Sequence, residues 1–150
     1  MLDQSDWDKG SELARPHGIR SHHEQMPNGE LRFRLIAPDG SSYIRTVAGP
    51  QGAWQNSHYH NNLRETYIVE TGWIVLAEWD SQVERLLLTR HTSGSIVTTP
   101  VTVPHNLYLA ANTVLHTVKH GGVADVTDWH SAPTLDLLTK CITEAELLAR

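Results

Sequence analysis

Two imidazoles and a carboxylate lie close together at His58, His60 and Glu65. Tyr59 separates the histidines, and Gly52 and Gly72 bracket the segment. Side chains alternate along a strand, so His58 and His60 point the same way from an extended chain. A turn near Asn61-Asn62-Leu63 returns the chain antiparallel and brings Glu65 to the same interior. Imidazole nitrogen and carboxylate oxygen converging on one point is the donor chemistry of a metal site. Without thiolate, that donor set suits Fe(II), Mn(II), Co(II), Ni(II), Cu(II) or Zn(II). Ten histidines make some His-x-His pair expected by chance. The weight therefore rests on the glutamate and the two glycines at fixed spacing.

A second segment runs from Gly94 through Pro100 and Pro104 to His105, at the head of the apolar stretch from Asn106 to Leu109. Together the two segments resemble the motifs of the cupin family. The first motif of that family supplies two His and a Glu, and the second supplies one further His. The first matches here at every defined position. The second keeps Gly94, Pro100 and His105, and departs at Thr102, where the family usually has Gly, and at Leu109, where it often has Asn. The resemblance spans residues 52 to 109. It implies His58, His60, Glu65 and His105 as ligands of a divalent transition metal, with two positions of an octahedral ion left for water, dioxygen or a chelating substrate. It favours Fe or Mn, with Zn or Ni as common substitutes.

The elements that must position these residues are short and extended. Leu31 to Ile36 alternates apolar and polar, as a half-buried strand does. Pro38-Asp39-Gly40 is a turn, and Tyr43 to Val47 is a second strand. The motif strands follow at 56–60 and 65–71. Gly72 closes a hairpin into Trp73–Trp79, which is apolar enough to be covered on both faces. Further strands are expected at Arg85–Thr89, Ser95–Thr98, His105–Leu109 and Thr113–His120. Turn signals at intervals of roughly ten residues argue for a sandwich or barrel. With the resemblance, the expectation is an all-β fold, a double-stranded β-helix or jelly-roll barrel. Residues 1–30, with Pro16, Gly18, Pro27 and Gly29, read as an irregular arm with one short helical turn. The barrel is expected over 31–130. A helical tail is expected over 131–150, with a capping-box spacing at Thr143 to Glu146.

Other side chains compete for a role. Tyr67 and Val69 share the strand parity of Glu65 and point inward; Leu107 and Leu109 share that of His105. An apolar cavity floor results, as small-ligand sites require. On the last strand His116 and His120 share one face and Lys119 takes the other. The candidate catalytic residues are His116, as a general base, and Tyr67. Lys119 is a candidate anchor for an acidic substrate; the alternative puts these last-strand residues at the rim or outside. Arg32, Arg34 and Arg45 suit an anionic ligand by guanidinium geometry, or lie solvated on an outer face. Tyr59 points away from the centre, Arg64 is a surface residue, and His22-His23 reads as solvent-exposed. Trp54, Trp73 and Trp79 read as core or subunit contacts.

Composition bounds the function. A chain of 150 residues is one domain with a real core. The net charge of −5, with no basic run, argues against nucleic acid. No apolar stretch approaches the ~20 residues that span a bilayer, so no membrane role is expected. The acidic, polar start is not a signal peptide. A single cysteine, Cys141, forms no internal disulfide, which fits a cytoplasmic protein. The leading expectation is a metal-binding enzyme, of dioxygenase or isomerase/epimerase type, acting on a small-molecule substrate as a homodimer. Two rivals stand beside it. One is a metal-free nucleotide-sugar isomerase-like protein, with a motif histidine as base and Tyr67 or Tyr108 as acid. The other is a non-catalytic module for a sugar or carboxylate.

Overall fold

Alternation decides where this chain runs extended. Leu31–Ile36 (β2) sets Arg32 and Arg34 on one face and Leu31, Phe33 and Leu35 on the other. It pairs antiparallel with Ser42–Val47 (β3), across the turn closed by Gly40. The computed structural model describes residues 11–150. A first sheet has the order β1-β2-β3-β11-β6-β9, in which β1 is Arg20–Gln25, β6 Arg64–Thr71, β9 Ile96–Thr98 and β11 Val114–His120. The second has the order β12-β5-β10-β7-β8. Its strands are β5 (His58–Tyr59), β7 (Trp73–Asp80), β8 (Arg85–Thr92), β10 (His105–Leu109) and β12 (His130–Ser131), and β4 (Ala53–Trp54) pairs β10. Every ladder is antiparallel, and sequence neighbours repeatedly fall in opposite sheets, as in a jelly roll.

Inward residues of both sheets meet in one core. Tyr67 and Val69 from β6, Ile74 and Leu76 from β7, Leu107 and Leu109 from β10, and Leu115 from β11 are all buried there. The other face of β7 is covered too. Val75 joins Tyr108, Ala110 and Leu147 in a second cluster, with Trp54, Trp73, Leu88 and Ile142 against it. The covering layer is the C-terminal tail, Pro133–Thr139 (α1) and Glu144–Leu148 (α2). The expected capping box is formed, with Thr143 and Glu146 each satisfying the other's backbone N–H. Gly72 closes the β6–β7 hairpin at φ 81°, where a side chain would also strike Thr113 Oγ1.

Four expectations shift. The arm is not irregular throughout: Arg20–Gln25 is a strand, with His23 opposite Phe33. Its polar sequence hides it, because an edge strand is held by backbone bonds and needs little apolar alternation. Residues 1–10 of that arm lie outside the described residues. The expected strand at 56–60 is reduced to His58–Tyr59, and β8 runs on to Thr92. His22 is exposed, but His23 packs on Phe33, at 5.5 Å between rings.

Candidate metal centre

Pairing of β10 with β5 puts His105 directly opposite His58. The turn after His60 feeds β6, whose second residue is Glu65. The four side chains converge: one donor atom from each of His58, His60, Glu65 and His105 lies within 4.8 Å of all the others. Glu65 Oε2 is the focus. It lies 2.6 Å from His105 Nε2, 3.2 Å from His58 Nε2 and 3.4 Å from His60 Nε2. All four residues are buried or nearly so.

The backbone fixes how the rings face. Nδ1 of His58 donates to the Asn56 carbonyl at 3.0 Å, and that of His105 to the Val103 carbonyl at 3.0 Å. His60 Nδ1 donates to the carbonyl of Asp128. These carbonyl partners assign the tautomer, with the proton on Nδ1. A neutral ring of that tautomer presents a bare lone pair at Nε2. Three such lone pairs crowd one carboxylate oxygen, and His60 Nε2 is buried with no hydrogen bond at all. A buried polar atom left unpaired is costly. A cation among these atoms would satisfy all of them together, so the donor set fits a divalent transition metal of the Fe, Mn, Ni or Zn kind.

Charges around Glu65 agree with that reading. Lys119 Nζ lies 2.7 Å from Oε1, and the Tyr67 hydroxyl donates to Oε2 at 2.7 Å. Burial alone would raise the Glu65 pKa. The Lys119 ammonium beside it is the leading charge that holds the carboxyl well below its usual range. Burial, outweighing the pull of Glu65, lowers His58 and keeps its ring neutral. Tyr67 is driven well above its ordinary value by burial and then by the neighbouring Glu65 charge, so it keeps its proton.

The remaining candidates separate cleanly. His116 lies on the outer face of β11: Nδ1 bonds the Tyr43 hydroxyl at 2.7 Å and Nε2 meets Glu70 Oε2 at 2.5 Å. The expectation of His116 as a general base at this centre is therefore corrected. Strand parity decides it, because Thr117 and Lys119 pair with the inward Tyr67 and Glu65, so His116 and Val118, of the opposite parity, face outward. Tyr108 also points away, its hydroxyl bonded to Glu144. Arg45 shares the outer parity of Tyr43, whereas Arg32 and Arg34 face inward and line a cavity of about 180 Å³ beside His58 and Glu65.

Two contributors escaped the sequence. Asp128 accepts from the backbone N–H groups of Asn61, Asn62 and Leu63 at 2.7–2.8 Å, fixing the turn between the ligands. Consecutive inward-pointing N–H groups in a tight turn need an acceptor, but nothing in the sequence says which acid supplies it. Trp129 stacks on His58, at 5.5 Å and 23° between rings, and no motif announces it.

No family model matches this chain, and no curated protein does. Solved structures do. A variant of Bacillus subtilis oxalate decarboxylase aligns over 86% of this chain and 34% of its own, at 15% identity and a TM-score of 0.61. A Klebsiella pneumoniae protein with a double-stranded β-helix domain aligns over 73% of this chain and 89% of its own, at 17% identity and TM-score 0.57. This chain has the cupin fold. KdgF from Halomonas sp. aligns over 69% of the chain and 88% of its own, at 15% identity and TM-score 0.55. The chain spans about a third of the length of the oxalate decarboxylases it matches. In this cupin barrel the two motifs span both sheets, with His58 and His105 on β5 and β10 of the second, Glu65 on β6 of the first, and the start of the second motif beside β9 of the first. The Thr102 departure is structurally legible: Thr102 has φ 64°, a conformation that favours glycine, and its N–H donates to the His60 carbonyl at 2.6 Å.

Proposed function

We propose that the protein is a metal-dependent enzyme that binds a divalent ion through His58, His60, Glu65 and His105 and acts on a small organic molecule. One observation carries this reading. Three imidazoles are pinned at Nδ1 by backbone carbonyls so that every Nε2 faces Glu65 Oε2, and one of them has no partner. A bound ion would act as a Lewis acid on an oxygen of the substrate. The rest is supplied by the chain. Tyr67 holds Glu65 by a hydrogen bond and, still protonated, is the group placed to give a proton at its hydroxyl. The apolar side chains Leu107 and Leu109 floor the barrel and exclude water. Trp129 covers His58 on the open side.

Oxalate decarboxylases, by name, act on a small carboxylate, which supports a small-molecule substrate here. Iron or manganese suits three imidazoles and a carboxylate, with zinc or nickel as substitutes. The reaction belongs to the dioxygenase or the isomerase/epimerase class, and oxygen consumption with candidate diketones, catechols or thiols separates them. A cytoplasmic homodimer forms part of the proposal. The outer face of the first sheet supports pairing, since it exposes Leu35, Tyr43 and Val118. Sedimentation would measure it. The decisive experiment is metal analysis of freshly purified protein beside Glu65→Ala and His60→Ala. Stoichiometric metal in the parent and little in either folded variant is expected. Full metal content in both variants would overturn the ligand assignment.

A further inference from the structure

Three cations and one carboxylate are found among the residues lining the 180 Å³ cavity: Arg32, Arg34, Lys119 and Glu65. All three cations are largely buried, with side-chain exposures of 18%, 13% and 15%. Their existing partners differ in kind. Arg32 spends both Nε and Nη2 on Glu30, at 2.9 and 2.7 Å, and that carboxylate is itself 1% exposed. Arg32 is thus neutralised within the fold. Arg34 is not. Its Nη1 meets Glu24 at 2.9 Å, but that side chain is 43% exposed, so water screens the pair. Its Nη2 faces only the Met26 sulfur at 3.6 Å, a weak acceptor for a guanidinium. Lys119 rests on Glu65 Oε1, the oxygen turned away from the imidazoles.

We propose that this cavity is a carboxylate subsite, in which Arg34 and Lys119 hold the anionic group of the substrate beside the His58/Glu65 centre. The proposal rests on the metal-centre reading and names the substrate class of that same site. Three features carry it. A guanidinium whose only carboxylate partner is solvent-screened, and whose other nitrogen faces a thioether, is an anion site still short of its best acceptor. A cation at the histidines adds positive charge on the other side, which favours a ligand with a second oxygen donor. Size limits the rest: at roughly 30 Å³ per water-sized group, the cavity takes about six such groups, the bulk of a three- or four-carbon acid. A wider cavity of about 580 Å³ adjoins, sharing Arg34, Ile44, Lys119 and Trp129 and adding Arg20 at its edge. Asp125 and Asp128 also line it, so the smaller chamber, with Glu65 as its single lining carboxylate, is the better place for an anion.

Malonate and its uncharged diamide, malonamide, are the probes, titrated calorimetrically against protein whose metal content is measured in the same sample. The parent should bind malonate and show no binding of malonamide at the same concentration. Arg34→Met should weaken malonate at least tenfold with unchanged metal content, and Arg34→Lys should fall between. Glu24→Gln, on an exposed edge, removes the competing outer carboxylate and should tighten malonate by about twofold or more. That variant tests the idea even if Arg34→Met fails to fold. Equal binding of both probes, or malonate affinity unchanged in Arg34→Met and Glu24→Gln alike, would sink the proposal. If the parent holds no metal, the centre reading falls alone. The subsite then stands if metal-free protein binds malonate in an Arg34-dependent way, and falls if it binds none.

Discussion

Among the places where a histidine Nε2 approaches a glutamate Oε2, two contrast most: inside at Glu65, and outside where His116 meets Glu70 at 2.5 Å. The bond type is shared and the surroundings are opposite. Outside, His116 is 23% exposed and Glu70 53%, each ring nitrogen has one partner, and water screens the rest. Such a pair contributes about 0–1 kcal/mol. Inside, three rings surround one carboxylate that is 3% exposed. Taking charge out of water costs several kcal/mol per ion unless it is well compensated. Crowding and dryness, not the presence of a His–Glu pair, are what make the inner group a candidate cation site.

That contrast can be broken most directly at the ligands. His105→Ala should reduce bound metal from about one per chain to less than about a tenth, because one of four donors is lost. His116→Ala should keep the parent's metal content and change stability by less than about 1 kcal/mol. Atomic emission on desalted samples reads the first and thermal unfolding the second. Comparable metal loss in both variants would erase the distinction.

Asp128 offers the next largest effect. Asp128→Ala leaves three turn N–H groups without their acceptor, and should cost about 3 kcal/mol and weaken metal about 10- to 100-fold. A pH dependence follows as well. Burial would raise this carboxyl, but the N–H groups of Leu63, Asn61 and Asn62 prevail and draw it from 3.8 to about 2. The folded state therefore binds its proton less readily than the unfolded one. The stabilisation is complete above about 3.8 and drains away as pH falls through about 2. Thermal unfolding of the metal-free protein across that window should show the loss, and Asp128→Asn should flatten it.

The smallest effect sharpens the comparison from the backbone side. A β-branched residue at φ 64° is strained by about 1–2 kcal/mol. Thr102→Gly should then raise stability by about 1 kcal/mol in chemical denaturation, while the bond from residue 102 N–H to the His60 carbonyl is kept. Equal or lower stability would mean that Thr102 is held without strain.

Much of this was legible in the sequence, for definite reasons. The period-two pattern of 31–36 and the apolar run 73–79 state both where the strands lie and which is covered twice. The histidine and glutamate spacing states which side chains share a face, and the four do meet. What escaped was non-local. The polar edge strand Arg20–Gln25 is held by its neighbour's backbone, which leaves no mark on its own side chains. Parity split His116 from Lys119 correctly, but only the pairing of β11 with β6 says which of the two faces is inner. Asp128 reaches its turn from 66 residues away, measured to Asn62, and composition carries no trace of such a contact.

That last bond has a consequence for how the molecule is made and degraded. Every metal-donor candidate lies at or before residue 105, yet the loop that aims one of them is tethered from residue 128. During synthesis the donors emerge first and the tether later, so a ribosome-bound fragment would hold its ion poorly. Proteolytic trimming back to about residue 120 would spare all four donors and still cripple them, which couples the occupancy of the centre to the integrity of a stretch that supplies none of its donor atoms.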